Sequence, residues 1–395
     1  MKSPLRVLFY GITHEHAPGK FESLRKLPDD FEIAAVVDDS PRGSPMYRDY
    51  PWTPTGCPVV SEAEAWHVPD IDVVFVEVTN CDLMEIAAEC ARRGLPMHCD
   101  KPCGEAMEPY RAIAEMCREK NVPMQIGYMY RANPAVQFCW NAVRKGWLGE
   151  VRFIEADMNH AYNHDNYAEY ISTFRGGILH NLGCHLVDMV VPMVEGMPKN
   201  VHVVMRAAPG DPEWARSCGS VLLEFPFADV LIRTSASMPG GILCRRLRVD
   251  GSNGTIDLCP IERFDGGRLT LAMTLKEPVG GYAAGENVVD FGVQKDRYAD
   301  QLKELAEIIR GERTNDPSQF ERDMKTHAIT LMMSMMDSKF DDLAYKKSEL
   351  ESAALELIKE CAAKFNYSLS VSENLKFNYY RHRWDVFVPG GQDIQ

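Results

Sequence analysis

Lys101 and His185 are the two side chains whose types and surroundings could move a proton. Lys101 stands in His98-Cys99-Asp100-Lys101-Pro102-Cys103-Gly104, and His185 follows Gly176-Gly177-Ile178-Leu179-His180-Asn181-Leu182-Gly183-Cys184. A lysine held partly out of water, followed by a proline that fixes the local backbone, suits proton transfer or the steadying of a developing negative charge. A neutral imidazole accepts a proton near pH 7. Together they suit removal of a proton from a substrate group while the charge left behind is steadied. His185 serves as base with Lys101 as electrostatic partner, or the two roles are exchanged.

Such groups need elements that aim them. Leu5-Arg6-Val7-Leu8-Phe9-Tyr10, Phe31 to Val37, Asp72 to Asn80 and Val122 to Tyr128 read as strands, separated by helical patterns such as Leu83 to Arg93 and Pro109 to Lys120. The alternation predicts an α/β Rossmann domain, a doubly wound parallel sheet, over residues 1–126. Lys101 then lies at the carboxyl end of a strand, where open α/β sheets bind ligands. Of the three glycines in the dinucleotide fingerprint, Gly11-Ile12-Thr13-His14-Glu15-His16 keeps Gly11. Thr13 can lend its amide and hydroxyl to a phosphate, and His14 is a bulky addition. The second strand ends in Asp38-Asp39; an acid there suits a ribose 2'-hydroxyl and repels a 2'-phosphate, while Arg42 could serve that phosphate. NAD is therefore expected, with NADP as the alternative. Gly11, Thr13, His14, Asp38, Thr79 and Asn80, with Asp100-Lys101-Pro102, are the candidate cofactor contacts.

From Val151 the period changes to two. Val151 to Met158, Val201 to Ala207, Ser220 to Phe225, Val230 to Ser235, Arg246 to Asp250, Gly254 to Leu258 and Leu269 to Thr274 predict an α+β domain, residues 127–340, on a large, mainly antiparallel open sheet. Asn181 to Val194 reads as a helix on which Asn181, His185 and Asp188 share a face. Asp296 to Arg310 and Phe320 to Met336 read as two more, the second with a methionine-rich face that suits core filling. Residues 341–395 form an extension: a helix from Ser348 to Lys364, then an aromatic stretch around Tyr379, Tyr380, Trp384 and Phe387 that calls for a docking surface.

The order of glycine turn, acidic strand end, Thr79-Asn80, Asp100-Lys101-Pro102, Gly127-Tyr128-Met129-Tyr130-Arg131-Ala132-Asn133-Pro134 and Gly176 to Asp188 resembles the glucose-fructose oxidoreductase / inositol dehydrogenase / MocA (Gfo/Idh/MocA) family. The resemblance covers roughly residues 5 to 335. It implies an NAD(P)-dependent oxidoreductase that transfers hydride between nicotinamide and a secondary alcohol of a sugar, cyclitol or glycoside, with the open sheet face building a homo-oligomer, a dimer or tetramer. It also implies a redox-assisted glycoside-cleaving or epimerising enzyme with retained NAD as a second reading. Two positions depart from the family pattern: Asp100 stands where glutamate is usual, and Asn181 where an aspartate usually joins the lysine and histidine around the reacting carbon. Asparagine takes up no proton but still hydrogen-bonds a hydroxyl. Tyr128, Arg131, His164, His180, Asn181 and Asp188 are the candidate substrate contacts, the Asn159 to Tyr167 run offering hydrogen bonds and stacking faces to a sugar. A non-catalytic sugar or dinucleotide sensor on the same fold is the competing class; the missing aspartate favours it, and Lys101 with His185 argues against it.

Composition narrows the partners. A net charge of -14 over 395 residues argues against nucleic acid and anionic membranes. No apolar run is long enough to span a bilayer, and the chain enters a strand directly, so a cytoplasmic location is expected. Twelve cysteines without a CxxC pair read as reduced thiols. His160, His164, His180 and His185 raise the question of a metal; because the run around the first two reads as a loop, none is expected.

Overall fold

The computed structural model describes residues 3–42, 50–52, 56–162, 167–212 and 214–335, with two further strands at 375–378 and 383–386. The first domain runs β1 (Leu5–Tyr10), α1 (Ala17–Arg25), β2 (Phe31–Asp38), β3 (Val59–Ser61), α2 (Glu62–Ala65), β4 (Val73–Val76), α3 (Leu83–Arg93), β5 (Met97–Cys99), α4 (Met107–Glu119) and β6 (Met124–Ile126). Its six strands are parallel, in the order β3-β2-β1-β4-β5-β6. The order reverses between β1 and β4, which opens a crevice at their carboxyl ends. Both faces are covered, and β1 shows why: Leu5, Val7 and Phe9 join one apolar cluster, Leu8 and Tyr10 the other. That is the period-two alternation of a strand buried on both sides.

Helix α3 buries Leu83, Ile86, Ala87, Cys90 and Ala91, spaced three and four apart, and stops at Gly94 with φ 70°. Burying a leucine or isoleucine of this kind contributes about 1.5–3 kcal/mol. The chain leaves β6 through Tyr128 into α5 (Pro134–Arg144), which Asn133 caps by accepting the Ala135 and Val136 amides at 2.9 and 3.2 Å.

The second domain continues with β7 (Val151–Asn159), α6 (Tyr167–Ser172), α7 (Cys184–Val190), β8 (Asn200–Arg206), β9 (Cys218–Glu224), β10 (Asp229–Ser235), β11 (Arg246–Gly251), β12 (Gly254–Leu258), β13 (Thr270–Leu275), β14 (Gly285–Asp290), α8 (Ala299–Ile309) and α9 (Ser318–Met335). Its eight-stranded sheet has the order β14-β13-β12-β11-β7-β10-β9-β8 and is antiparallel except where β7 meets β10. Ile154, Val221, Ile232, Leu247, Ile256 and Leu271 face the core with Leu186 and Met333. The opposite face is open, with Val204 60% and Val288 74% exposed.

The elements differ from those expected in three places. The span expected as one helix from Asn181 breaks into a π-helical turn over Leu179–Gly183, then α7, then a 3-10 turn over Val191–Met193. Strands β3 and β14 went unrecognised because one has three residues and the other, Gly-Glu-Asn-Val-Val-Asp, is a polar edge strand. In the extension, Leu375–Asn378 and Arg383–Val386 pair antiparallel, Phe377 opposite Trp384. The expected helix from Ser348 to Lys364, with Tyr379, Tyr380 and Phe387, lies outside the described residues.

Candidate active site

The site is built on the loops that leave β1, β4 and β5. Gly11 has φ +103°, and a Cβ there would stand 2.6 Å from the Val78 nitrogen, so the turn accepts glycine alone. The next two residues turn to Asp39: the Ile12 amide donates to its Oδ1 at 2.7 Å, and the Thr13 hydroxyl donates to Oδ2. Burial pushes Asp39 up to about 6. Asp38, the acid expected to meet the cofactor, is partly exposed and accepts the Ser40 amide on Oδ1 at 2.9 Å, while its neighbour Asp39 faces the glycine turn. At the exit of β4, Thr79 donates to Asp82 at 2.6 Å and the Asn80 amide to the Lys101 carbonyl at 3.4 Å.

His14, His16, Lys20, Glu77 and Asp100 pack beneath this turn, all buried except the partly exposed His16. The His14 Nδ1 accepts the His16 amide at 3.1 Å, while its Nε2 has no partner among the described residues; burial pushes the ring down to about 3, so it is neutral. Asp100 takes His16 Nδ1 at 3.1 Å, the Lys20 ammonium, and the Lys101 amide at 2.5 Å. Burial opposes the Asp100 charge, but the Lys20 ammonium and the hydrogen bond from His16 outweigh this and hold the carboxyl well below the usual range. Lys20 reaches Glu77 as well, at 3.0 Å, and burial raises the Glu77 carboxyl well above its ordinary value.

Among the described residues, His14, His16 and Asp100 are the one group whose ligand atoms come close enough, within 4.8 Å of one another, to hold a metal ion. The histidines weighed from the sequence belong to other surroundings, and His164 lies outside the described residues. The donor set here fits a dication poorly, because the Lys20 ammonium already sits on Asp100 and would be forced against it.

Lys101 crosses from this floor to the second domain. Its fully buried Nζ donates to Asn181 Oδ1 at 2.8 Å, to the Asn181 carbonyl at 3.0 Å and to Glu15 Oε1 at 3.2 Å. The π-helical turn carries Asn181, whose Nδ2 has no partner among the described residues. One turn on, both ring nitrogens of buried His185 are equally free. The rings of Tyr130, Tyr128 and His16 surround it at 5.4, 6.0 and 6.3 Å between centroids. Burial, then the Lys101 charge, holds His185 well below its ordinary value, so it stands as a neutral imidazole with one nitrogen able to accept a proton.

The other expected substrate contacts fall differently. Tyr128 is buried with its hydroxyl unpartnered. His180 turns its Nδ1 to the Ser334 hydroxyl at 2.8 Å. Arg131 and Asp188 bond to each other at 2.6 Å; Arg131 also takes Asp323 and Gln319, and Arg322 joins Asp188. Their polar atoms are occupied within the protein, tying the 3-10 turn Met129–Ala132 and α7 to α9. Glu15, Arg245 and Glu262, not singled out from the sequence, also line the site. Glu15 accepts the Tyr162 hydroxyl at 2.8 Å, and Tyr162 stacks on His160 at 4.3 Å. Arg245, buried, reaches His160, Tyr130 and Glu262. The signal for Glu15 and its neighbours was available: a density of charged and histidine residues where the fingerprint calls for glycine.

Comparison with known proteins follows this architecture. Residues 5–128 match "Oxidoreductase family, NAD-binding Rossmann fold", and residues 136–257 match "GFO/IDH/MocA C-terminal domain". The rhizopine catabolism protein MocA of Rhizobium meliloti is 28% identical over 153 residues, which are 36% of this chain and 46% of that protein. The levoglucosan dehydrogenase of Pseudarthrobacter phenanthrenivorans is 25% identical over 31% of this chain and 32% of its own length. The chain thus spans less than half the length of these curated relatives. The aldose-aldose oxidoreductase of Caulobacter crescentus shares the fold, with a TM-score of 0.66 at 20% identity over 84% of this chain and 97% of that one. With a parallel nucleotide-binding sheet and an open antiparallel sheet in succession, each matched in sequence, the chain belongs to the Gfo/Idh/MocA oxidoreductase family and carries its NAD(P)-binding Rossmann domain.

Proposed function

We propose that this protein is an NAD(P)-dependent dehydrogenase acting on a secondary alcohol of a sugar, cyclitol or glycoside. The observation that carries the reading is His185: a buried, neutral imidazole with both nitrogens free, one helical turn from the asparagine that Lys101 holds. A substrate hydroxyl placed there donates its proton to the imidazole, and the Lys101 ammonium steadies the oxygen as negative charge develops. Asn181 Nδ2 is free to donate to a neighbouring hydroxyl and orient the ring. When bound, the nicotinamide supplies the hydride acceptor. The residues suited to hold it are Gly11 to Thr13 for the pyrophosphate, Asp38 for the adenosine ribose, and Thr79, Asn80 and Asp100 to Pro102 beside the nicotinamide half. The unpartnered buried atoms His14 Nε2 and Glu77 Oε2 under that crevice fit a site completed by a polar ligand.

The open sheet face, with Val204 and Val288 exposed, supports a homo-oligomer in the same reading. Reduction of NAD+ and NADP+ against a panel of free sugars, cyclitols and glycosides tests the assignment. Turnover with at least one polyol is expected. Cofactor binding without reduction by any of the three classes sinks it in favour of a sensor, and product formation without released NADH moves it to the cleaving or epimerising reading.

A further inference from the structure

The Lys101 ammonium is wholly buried, and two of its three hydrogen-bond partners, the Asn181 carbonyl and amide oxygens, are dipoles. A buried cation needs a full countercharge as well. Among the described residues, Glu15 is the carboxylate that supplies it, at 3.2 Å. Burial alone would raise the Glu15 carboxyl, but the Lys101 ammonium outweighs this and holds it well below the usual range, so it is ionised. Its second oxygen is fixed by the Tyr162 hydroxyl at 2.8 Å. Glu15 comes from the turn after β1 and Tyr162 from the segment after β7, so the carboxylate is held from both domains.

Asn181 faces the same ammonium at 2.8 Å. An aspartate at 181 is isosteric with it and would set a carboxylate oxygen on Lys101 with no backbone movement. Two carboxylates on one buried ammonium repel each other, and none leaves the ammonium uncompensated. We propose that Glu15 is the positioning carboxylate of Lys101, and that positions 15 and 181 form one unit in which a single negative charge is required and either side can carry it. The consequence for turnover rests on the proton-handling role proposed for Lys101; the charge pairing itself does not.

The test compares the wild type, Glu15→Gln, Asn181→Asp and the double variant, by kcat/KM on a polyol oxidised in the panel and by thermal midpoint. Glu15→Gln is expected to lose at least about tenfold in kcat/KM, about 1.4 kcal/mol, and to melt earlier. Asn181→Asp is expected to lower both values in the wild type and to raise both in the Glu15→Gln background. That reversal of sign is the signature, because a merely structural glutamate would not be replaced by a charge at another position. The melting data stand even if no polyol is oxidised, which separates failure of the pairing from failure of the proposed activity. Should Glu15→Gln not fold alone, recovery of folded protein in the double variant is the same reversal. An Asn181→Asp effect of the same sign in both backgrounds, or a double variant that does not fold, overturns the proposal. So does a reversal that persists when Lys101 is replaced by Met.

Discussion

Lys20 on α1 and Asp100 after β5 lie 80 residues apart and are hydrogen-bonded in the interior, with no exposed surface on either side chain. The contact joins the first helix of the nucleotide-binding domain to the backbone that presents Lys101, since Asp100 also accepts the Lys101 amide. Removing one member of a buried pair costs about 3–5 kcal/mol, because the other charge is left uncompensated. Lys20→Met is therefore expected to destabilise the protein by about that amount in urea unfolding, and Lys20→Met/Asp100→Asn to recover part of the loss. A double variant no better than the single one would show that the contact is incidental.

Gly11→Ala tests the turn after β1. Alanine is strained at φ +103°, and its Cβ would meet the Val78 backbone nitrogen at 2.6 Å. A strained backbone position of this kind costs about 1–3 kcal/mol. Lower thermal stability and NAD+ affinity reduced at least about tenfold, measured by titration, are expected. Affinity equal to wild type would remove the turn from the cofactor site.

Lys101→Met removes the charge that the proposed alkoxide needs while keeping the length of the stem. Turnover is expected to fall by about a hundredfold or more, about 2.7 kcal/mol in the barrier, with NAD+ affinity within about threefold of wild type. A variant that keeps more than about a tenth of wild-type kcat/KM would take Lys101 out of the chemistry.

Much of this arrangement was legible in the sequence. The near-continuous apolar run of β1 and the glycine stop of α3 predicted a parallel sheet, and the short strand Met97–Cys99 did place Lys101 at a strand exit. The association of Glu15, Lys20, Glu77 and Asp100 was not legible, because they meet only through the order β1-β4-β5. Side-chain periodicity likewise carries no mark of a π-helical turn, which is a shift in backbone hydrogen bonding at Leu179–Gly183. The ion pairs of Arg131 and Asp188 were not legible either, because their partners Asp323 and Arg322 arrive from α9.

The buried histidines predict the acid limit of stability. His14, His98 and His180 are pushed down to about 3, His327 to about 4, and His16, His160 and His185 also lie below their ordinary 6.5, in each case first through burial. In the unfolded chain these rings take up protons as pH falls through 6.5, and in the native protein they do not. Their contribution to stability is thus fully present above pH 6.5 and lost below it. Three carboxyls oppose this: burial raises Asp39 to about 6 and also raises Glu77 and Asp323, so the native state holds protons there that the unfolded chain releases. The histidines outnumber these acids, and carboxyls held below their ordinary values, such as Glu15, Asp100 and Glu262, act in the same direction as the histidines, so unfolding takes up protons on balance as pH falls below 6.5. Urea midpoints measured from pH 7.5 to 4.5, with proton uptake followed calorimetrically, are expected to fall steeply below pH 6.5. A flat profile, or proton release on unfolding at pH 5, would mean that these rings titrate in the native protein and that His185 is not the neutral base.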